Sequence, residues 1–180
     1  KEAWINSRSF APAEGSNIVS STFAAFWAPD GGRLSSGHNF NLIFRVLQDP
    51  TPMLTNQWYH VAVTYDAGTN SMILYKDGVI VAGPAAPDAA PIAADINFLI
   101  GAYNGGTGAG FFWDGQIDEV RIWNVVRTQA QLFASAGCQL TGDEPGLLAY
   151  YNFNQCIAGG ANAGVTTLND GSDRCTPNNG

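Results

Sequence analysis

Charge is scarce in this chain. Only 13% of its 180 residues are Asp, Glu, Lys or Arg, about half the share of an ordinary domain. That excludes a coiled coil and an acidic disordered tail, both of which need charge along their exposed length. Basic residues are scarcer still: eight against fifteen acids, a net charge of −7, with Lys1 and Lys76 as the two lysines. A phosphate-binding surface needs clustered cations, so nucleic acid is excluded as a partner and an anionic membrane surface is a poor one. No apolar run approaches the roughly 20 residues of a spanning helix, so no membrane insertion is expected. No leader-like segment opens the sequence. Lys1-Glu2-Ala3-Trp4-Ile5-Asn6 alternates like the middle of a strand, as expected of a mature product or an excised piece of a larger surface polypeptide.

Cysteine is sparse and late, at Cys138, Cys156 and Cys175, with no CxxC. With His38 and His60 as the two histidines, a zinc site lacks ligands. One disulfide and one free buried thiol are expected, with Cys156–Cys175 preferred because both lie in loop-like sequence. Closing a loop of about 19 residues would contribute about 3 kcal/mol in the chain-entropy model. Such a bond places a protein outside the cytosol. The spacing leaves the other pairings open.

Apolar residues make up 46% of the chain, aromatics 12%, and glycines number 21. That mixture suits an all-β domain, where glycine turns the chain and aromatics fill the space between sheets. The strongest period is two. In Trp58–Tyr65, one face carries Tyr59, Val61, Val63 and Tyr65, and the other carries Trp58, His60, Ala62 and Thr64. Asp77-Gly78 between two such runs signals a tight hairpin. Further strands are expected at 3–6, 17–21, 23–27, 33–36, 41–47, 97–101, 116–124 and 147–153. Pro84 to Pro91 reads as a stiff, strand-poor connector, and Asn104 to Gly110 as a mobile loop. One helix is expected, Thr128–Ala134, capped by a Thr128-x-x-Gln131 box before Gly137. The sum is an all-β, two-sheet antiparallel sandwich with one short helix. It spans residues 1–158, and the Gly/Asn-rich stretch 159–180 is expected to wrap it as a surface extension. His60 is expected to pack and hydrogen-bond within the sheet, and Trp4 to be half-buried beside Glu2 and Asn6.

Three blocks carry a resemblance: Trp58-Tyr59-His60-Val61-Ala62-Val63-Thr64-Tyr65-Asp66 with the Tyr75-Lys76-Asp77-Gly78 hairpin; Phe98-Leu99-Ile100-Gly101; and Asp114-Gly115-Gln116-Ile117-Asp118-Glu119-Val120-Arg121-Ile122-Trp123-Asn124, with Arg127-Thr128 behind it. In this order they resemble the laminin-G-like jelly roll of the concanavalin A-like lectin/glucanase superfamily, related to pentraxins, over residues 2–135. Leu140 to Asn154 is similar to the segment C-terminal to that domain in large secreted surface proteins of the Bacteroidetes type. Members of the family open with one more strand ahead of Glu-Ala-Trp-Ile. Here that strand is expected either to be missing from the piece or to be replaced by the C-terminal extension.

The resemblance implies a jelly roll and raises two activities, hydrolysis and sugar binding. The glucanase hallmark, Glu-x-Asp-x-x-Glu on one strand, does not occur in the sequence. Asp118 and Glu119 are adjacent and point to opposite faces of a strand, while Asp114 and Asp118 sit about 13 Å apart along it. Glycosidase carboxylates stand roughly 5–9.5 Å apart. GxSxG, HExxH and P-loop patterns do not occur either. A non-enzyme is expected. On the 116–124 strand, Val120 and Ile122 should face the core with Asp118 at its rim, and Glu119 and Arg121 should form a solvated couple on the far face. Asp118 has two readings, a backbone hydrogen-bond acceptor or a ligand of a structural calcium, which wants six to eight oxygens.

In the similar pentraxins, calcium-dependent binding uses acids after the strand matching Phe98–Gly101 and an Asp-Asn pair before the one matching Asn41–Phe44. Ala102-Tyr103-Asn104 and His38-Asn39 stand there instead, without the acids. The ligand-binding candidates are therefore Trp27, Asp30, His38, Asn39, Tyr103, Asn104 and Trp113, aromatics to stack on sugar rings and polar groups to bond hydroxyls. The expected function is a non-catalytic extracellular or cell-surface recognition module that binds glycans or cell-surface proteins. A structural domain of a surface adhesin or filament is the alternative, and a glycoside hydrolase the third reading. Calcium is the one cofactor considered.

Overall fold

The computed structural model describes residues 1–10, 15–21, 24–40, 43–86, 97–104 and 108–154, with backbone alone at Asp30, 39–40 and 43–46. Cys156, Cys175 and the 159–180 extension lie outside the described residues. Cys138, inside them, carries a free, half-buried thiol.

Among the described residues the chain forms β1 (Glu2–Ser7), β2 (Val19–Ser20), β3 (Ala24–Trp27), β4 (Ser35–Phe40), β5 (Ile43–Gln48), β6 (Trp58–Asp66), β7 (Ser71–Lys76) and β8 (Val79–Ala85). Then come β9 (Leu99–Ile100), β10 (Tyr103–Asn104), β11 (Ala109–Gly110), β12 (Gly115–Trp123), the helix α1 (Gln129–Ala136) and β13 (Leu147–Tyr151). The larger sheet has the order β13-β12-β1-β6-β7-β8, and all of its pairs are antiparallel. The facing layer holds β3-β4-β5, extended past β3 by the β2–β9 pair, where the Ile18 N–H donates to the Phe26 carbonyl at 2.9 Å. This is the two-sheet antiparallel sandwich that the period of two predicts.

Alternation on β6 sorts its side chains as expected. Tyr59, Val61 and Val63 join the core between the sheets, with Ala3, Ile5, Phe26, Leu34 and Leu74. Ala62, on the opposite face, packs with Tyr75 beneath Leu132 of α1. The larger sheet is thus covered on both faces, by the second sheet and by the helix. The helix starts where the sequence places it: the Thr128 side chain accepts from the Gln131 N–H, and the Gln131 side chain accepts from the Thr128 N–H. At the β7–β8 turn, Asp77 and Gly78 have φ of 51° and 75°, the paired left-handed residues of a type I′ hairpin.

Three expectations give way. Pro84 belongs to β8 rather than a connector. The strand lies at the sheet edge, where a missing N–H costs no ladder bond; residues 87–91 lie outside the described residues. Asn104 and Gly110 are not loop but members of the β10–β11 pair. Glu119 and Arg121 do pair, at 2.8 Å, but not in solvent: Arg121 is at 0% exposure and the Glu119 side chain at 14%. The cause is a bulge. On β12, Arg121 faces Glu2 and Asp118 faces Trp4, so two residues of β12 oppose Ala3 alone. Glu119, with φ of 51°, is the residue that absorbs the turn. Asp118 is thereby moved to the outer face with Trp4, while Val120 stays in the core.

Candidate functional site

One end of the sandwich gathers aromatic side chains around a polar clasp. There β1 ends at Ser7 and β12 begins at Gly115, opposite each other. The two strands approach so closely that a Cβ on Gly115 would lie 2.1 Å from the Asn6 carbonyl oxygen. Residues flanking this contact are held in place. The Arg8 N–H donates to the Asp114 carbonyl at 2.8 Å. Arg8 Nε donates to Asp114 Oδ1 at 2.9 Å and Ser9 Oγ to Oδ2 at 2.6 Å. These hydrogen bonds, Ser9 first and then Arg8, hold the Asp114 carboxyl below the usual carboxylate range.

Aromatics flank the clasp. Trp113 is half-buried; its ring meets Phe10 edge-on at 6.1 Å, its backbone N–H donates to the Gly101 carbonyl, and its indole N–H donates to the Gln116 carbonyl. Phe111 and Phe112 precede it, 45% and 64% exposed. The Phe111 ring lies 6.1 Å from that of Tyr103 on the neighbouring strand. Asn17 ties Trp27 to this end: it bridges Trp27 across the sheet, and its backbone N–H donates to the Phe111 carbonyl at 3.2 Å. Asn104 is exposed and accepts from the Gly108 N–H. Trp27, Tyr103, Asn104 and Trp113, four of the seven expected site residues, thus fall at one end.

His38 does not join them. It lies within β4, opposite Ala24, whereas Trp27 is opposite Ser35, three positions further along. Its ring is buried and meets Tyr65 edge-on at 4.8 Å. Asp30 heads a 3₁₀ turn and Asn39 lies in β4, but their side chains are outside the described part of the structure. Phe111, Phe112 and the Arg8–Ser9–Asp114 clasp escaped the sequence reading. One signal was available: three consecutive aromatics before a strand cannot all face inward.

The acidic residues of β12 are engaged elsewhere. Glu119 accepts from Arg121 at 2.8 Å and from the Tyr150 hydroxyl at 2.7 Å; burial, joined by that bond to Glu119, pushes the Tyr150 phenol up. His60 and Trp4 sit as expected: His60 Nε2 donates to Glu2 at 3.0 Å, and the Trp4 indole donates to the Ala136 carbonyl. Burial pushes the Asp118 carboxyl up, against the hydrogen bond that Oδ1 accepts from the Glu119 N–H at 2.8 Å. That is the acceptor role. The Arg121 cation lies near it, and no three His, Cys, Asp or Glu side chains gather among the described residues.

Two packed antiparallel sheets, one of them backed by a helix, define a jelly-roll sandwich, here with aromatics and polar side chains gathered at one end. Residues 1–133 match the concanavalin A-like lectin/glucanases superfamily in its laminin-G-like branch, and the chain belongs to it. Among solved structures it is similar to a Bacteroides ovatus protein provisionally assigned as carbohydrate-binding. The identity is 26% over 86% of this chain and 44% of that one, with a TM-score of 0.71. This chain therefore spans less than half of that protein. It also shares its fold with the carbohydrate-binding module of a Ruminococcus gnavus sialidase, solved with α2,3-sialyllactose. There the identity is 16% over 76% of this chain and 80% of that one, with a TM-score of 0.57. A heptameric pentraxin from Limulus polyphemus aligns at 16% identity over 75% of this chain and 67% of that one, with a TM-score of 0.49. No curated protein matches the chain.

Proposed function

We propose that this chain is a non-catalytic, extracellular carbohydrate-recognition module, and that its sugar contact is the aromatic end built from Tyr103, Phe111 and Phe112. The observation that carries this is the exposure of Phe111 and Phe112 beside a fixed polar clasp. Aromatic faces left in water are offered to the apolar side of a sugar ring, and Asp114, Arg8 and Asn104 supply hydrogen bonds to its hydroxyls. Membership of a lectin-containing superfamily and likeness to a Bacteroides ovatus protein provisionally assigned as carbohydrate-binding support the same reading. The non-catalytic part rests on β12. Glu119 is spent on Arg121 and Tyr150, so no carboxylate pair is presented there for acid and nucleophile roles. Calcium is not part of the proposed contact.

A glycan array probed with the protein, with and without chelator, tests this. Hits that survive the chelator and are lost in Phe112→Ala and Tyr103→Ala, at unchanged melting temperature, are expected. A blank array with ordered self-assembly would make this a structural domain instead. Release of reducing sugar from a bound polysaccharide would make it a hydrolase.

A further inference from the structure

The opposite end of the larger sheet, where β1 begins and β12 ends, holds a groove of about 290 Å³. Lys1, His38, Tyr65, Phe98, Trp123 and Arg127 contribute to its wall. Acids outnumber bases fifteen to eight in this chain, yet no Asp or Glu is among the described residues that line the groove. Two of the eight bases are. The charge balance of the molecule is locally inverted.

Arg127 carries the inference. Its guanidinium carbon lies 4.1 Å from the centroid of the Trp123 ring, so the planar group is stacked and oriented before any ligand arrives. Its bonds to the Gln131 carbonyl and Ser135 Oγ are long, at 3.5 and 3.4 Å, and its buried Nε has no hydrogen-bond partner. Among the described residues no carboxylate pairs with it. Glu2, which accepts the Trp123 indole N–H, is fully buried and answers His60 and Arg121. The side chain as a whole is half-buried, and an arriving carboxylate would form charge-assisted bonds with the weakly held terminal N–H groups. The walls beside it are apolar: Phe98 is 37% exposed, and Val126 is 49% exposed. A volume at the small end of ligand pockets suits one ring rather than a chain of them.

We propose that this groove is a second ligand site, selective for a carboxylate-bearing sugar, with the acid group on Arg127 and the ring against Phe98 and Tyr65. It does not rest on the aromatic end, which lies beyond the other terminus of both strands, and the two can fail separately.

The probe is methyl β-D-glucuronide, with methyl β-D-glucopyranoside as its neutral counterpart, followed by calorimetry and by tryptophan fluorescence. The uronide is expected to bind at least about tenfold tighter than the glucoside, the discrimination of one charge-assisted contact. Raising salt to about 0.5 M should weaken it. Arg127→Gln should lose about tenfold in uronide affinity and Arg127→Lys less, while Arg33→Gln, a charge change outside the groove, should lose nothing. Melting temperatures confirm that each variant is folded. The proposal is overturned by equal affinity for the two sugars, by no uronide binding to the parent chain, or by full affinity in folded Arg127→Gln. Loss of uronide binding in Phe112→Ala would place the acid site at the wrong end and overturn it too.

Discussion

Arg121 is a cation with 0% exposure, and water-free surroundings make an unmatched charge cost several kcal/mol. Its two terminal nitrogens are matched, while Nε is left without a partner among the described residues. Glu119 stands at 2.8 Å and Glu2 at 3.9 Å, while the carbonyls of Ser135 and Cys138 accept at 2.9 and 2.5 Å. Removing the cation leaves both carboxylates facing each other without it, so Arg121→Ala should lower the unfolding free energy by about 3–5 kcal/mol in urea titrations. A loss below about 1 kcal/mol would mean that the carboxylates are solvated. Glu2 links this residue to pH. Burial alone would push its carboxyl up, but the hydrogen bond from His60, with the charge of Arg121, outweighs burial and holds it below its ordinary value. A carboxyl depressed in the folded state stabilises the fold above its unfolded value, and that contribution is lost as pH falls through the folded value. Stability should therefore decline as the pH drops below about 4.5, and Glu2→Gln should shallow that decline in denaturant titrations across pH. An unchanged acid limb in that variant would remove Glu2 from the account.

Strand β12 shows what a single element demands. Its first residue, Gly115, has φ of 153°, and any Cβ there would collide with backbone of β1, which no rotamer change relieves. Gly115→Ala should therefore force β1 and β12 apart, cost more than about 2 kcal/mol, and weaken sugar binding through the displaced Arg8–Asp114 clasp. Melting temperature and glycan affinity read the two effects, and a variant as stable as the parent would refute the close approach. The same strand marks the boundary of what sequence could say. Its length and its core positions Val120 and Ile122 followed from alternation, as did both faces of β6, because burial on two sides imposes a strict period. The bulge at Glu119 did not follow, since it depends on how β12 aligns with β1, a relation between distant segments. That one extra residue turned an expected solvated ion pair into a buried one and moved Asp118 across the sheet. Local chemistry was legible elsewhere: the Thr128 cap and the Asp77-Gly78 turn each need only four neighbouring residues. Candidate site residues were legible by type but not by place. Trp27, Tyr103, Asn104 and Trp113 converge, whereas His38 was drawn into β4 by pairing with Ala24, a choice made by the partner strand.

At the scale of the molecule, the two ends of the larger sheet have different chemistry. One presents exposed phenylalanines and a neutralised Arg8–Asp114 pair, and the other a groove whose described lining bears cations and no acid. Between them run β1 and β12, joined along their length and packed on both faces. Coupling between sites needs an element with two arrangements that each ligand favours differently. Strands pinned between a close-packed core and a helix-covered, hydrogen-bonded outer face offer no second arrangement of low cost. Binding at the two ends should therefore be independent. With methyl β-D-glucuronide at saturation, the Kd of an array-identified neutral glycan should stay within about twofold of its value alone, and the reverse titration should agree because coupling is reciprocal. A shift of fivefold or more, seen from both directions, is about the smallest typical allosteric coupling. It would mean that the sheet transmits strain from one end to the other, and the bulge at Glu119, where a non-glycine residue already holds a left-handed φ, would be the first place to look for the hinge.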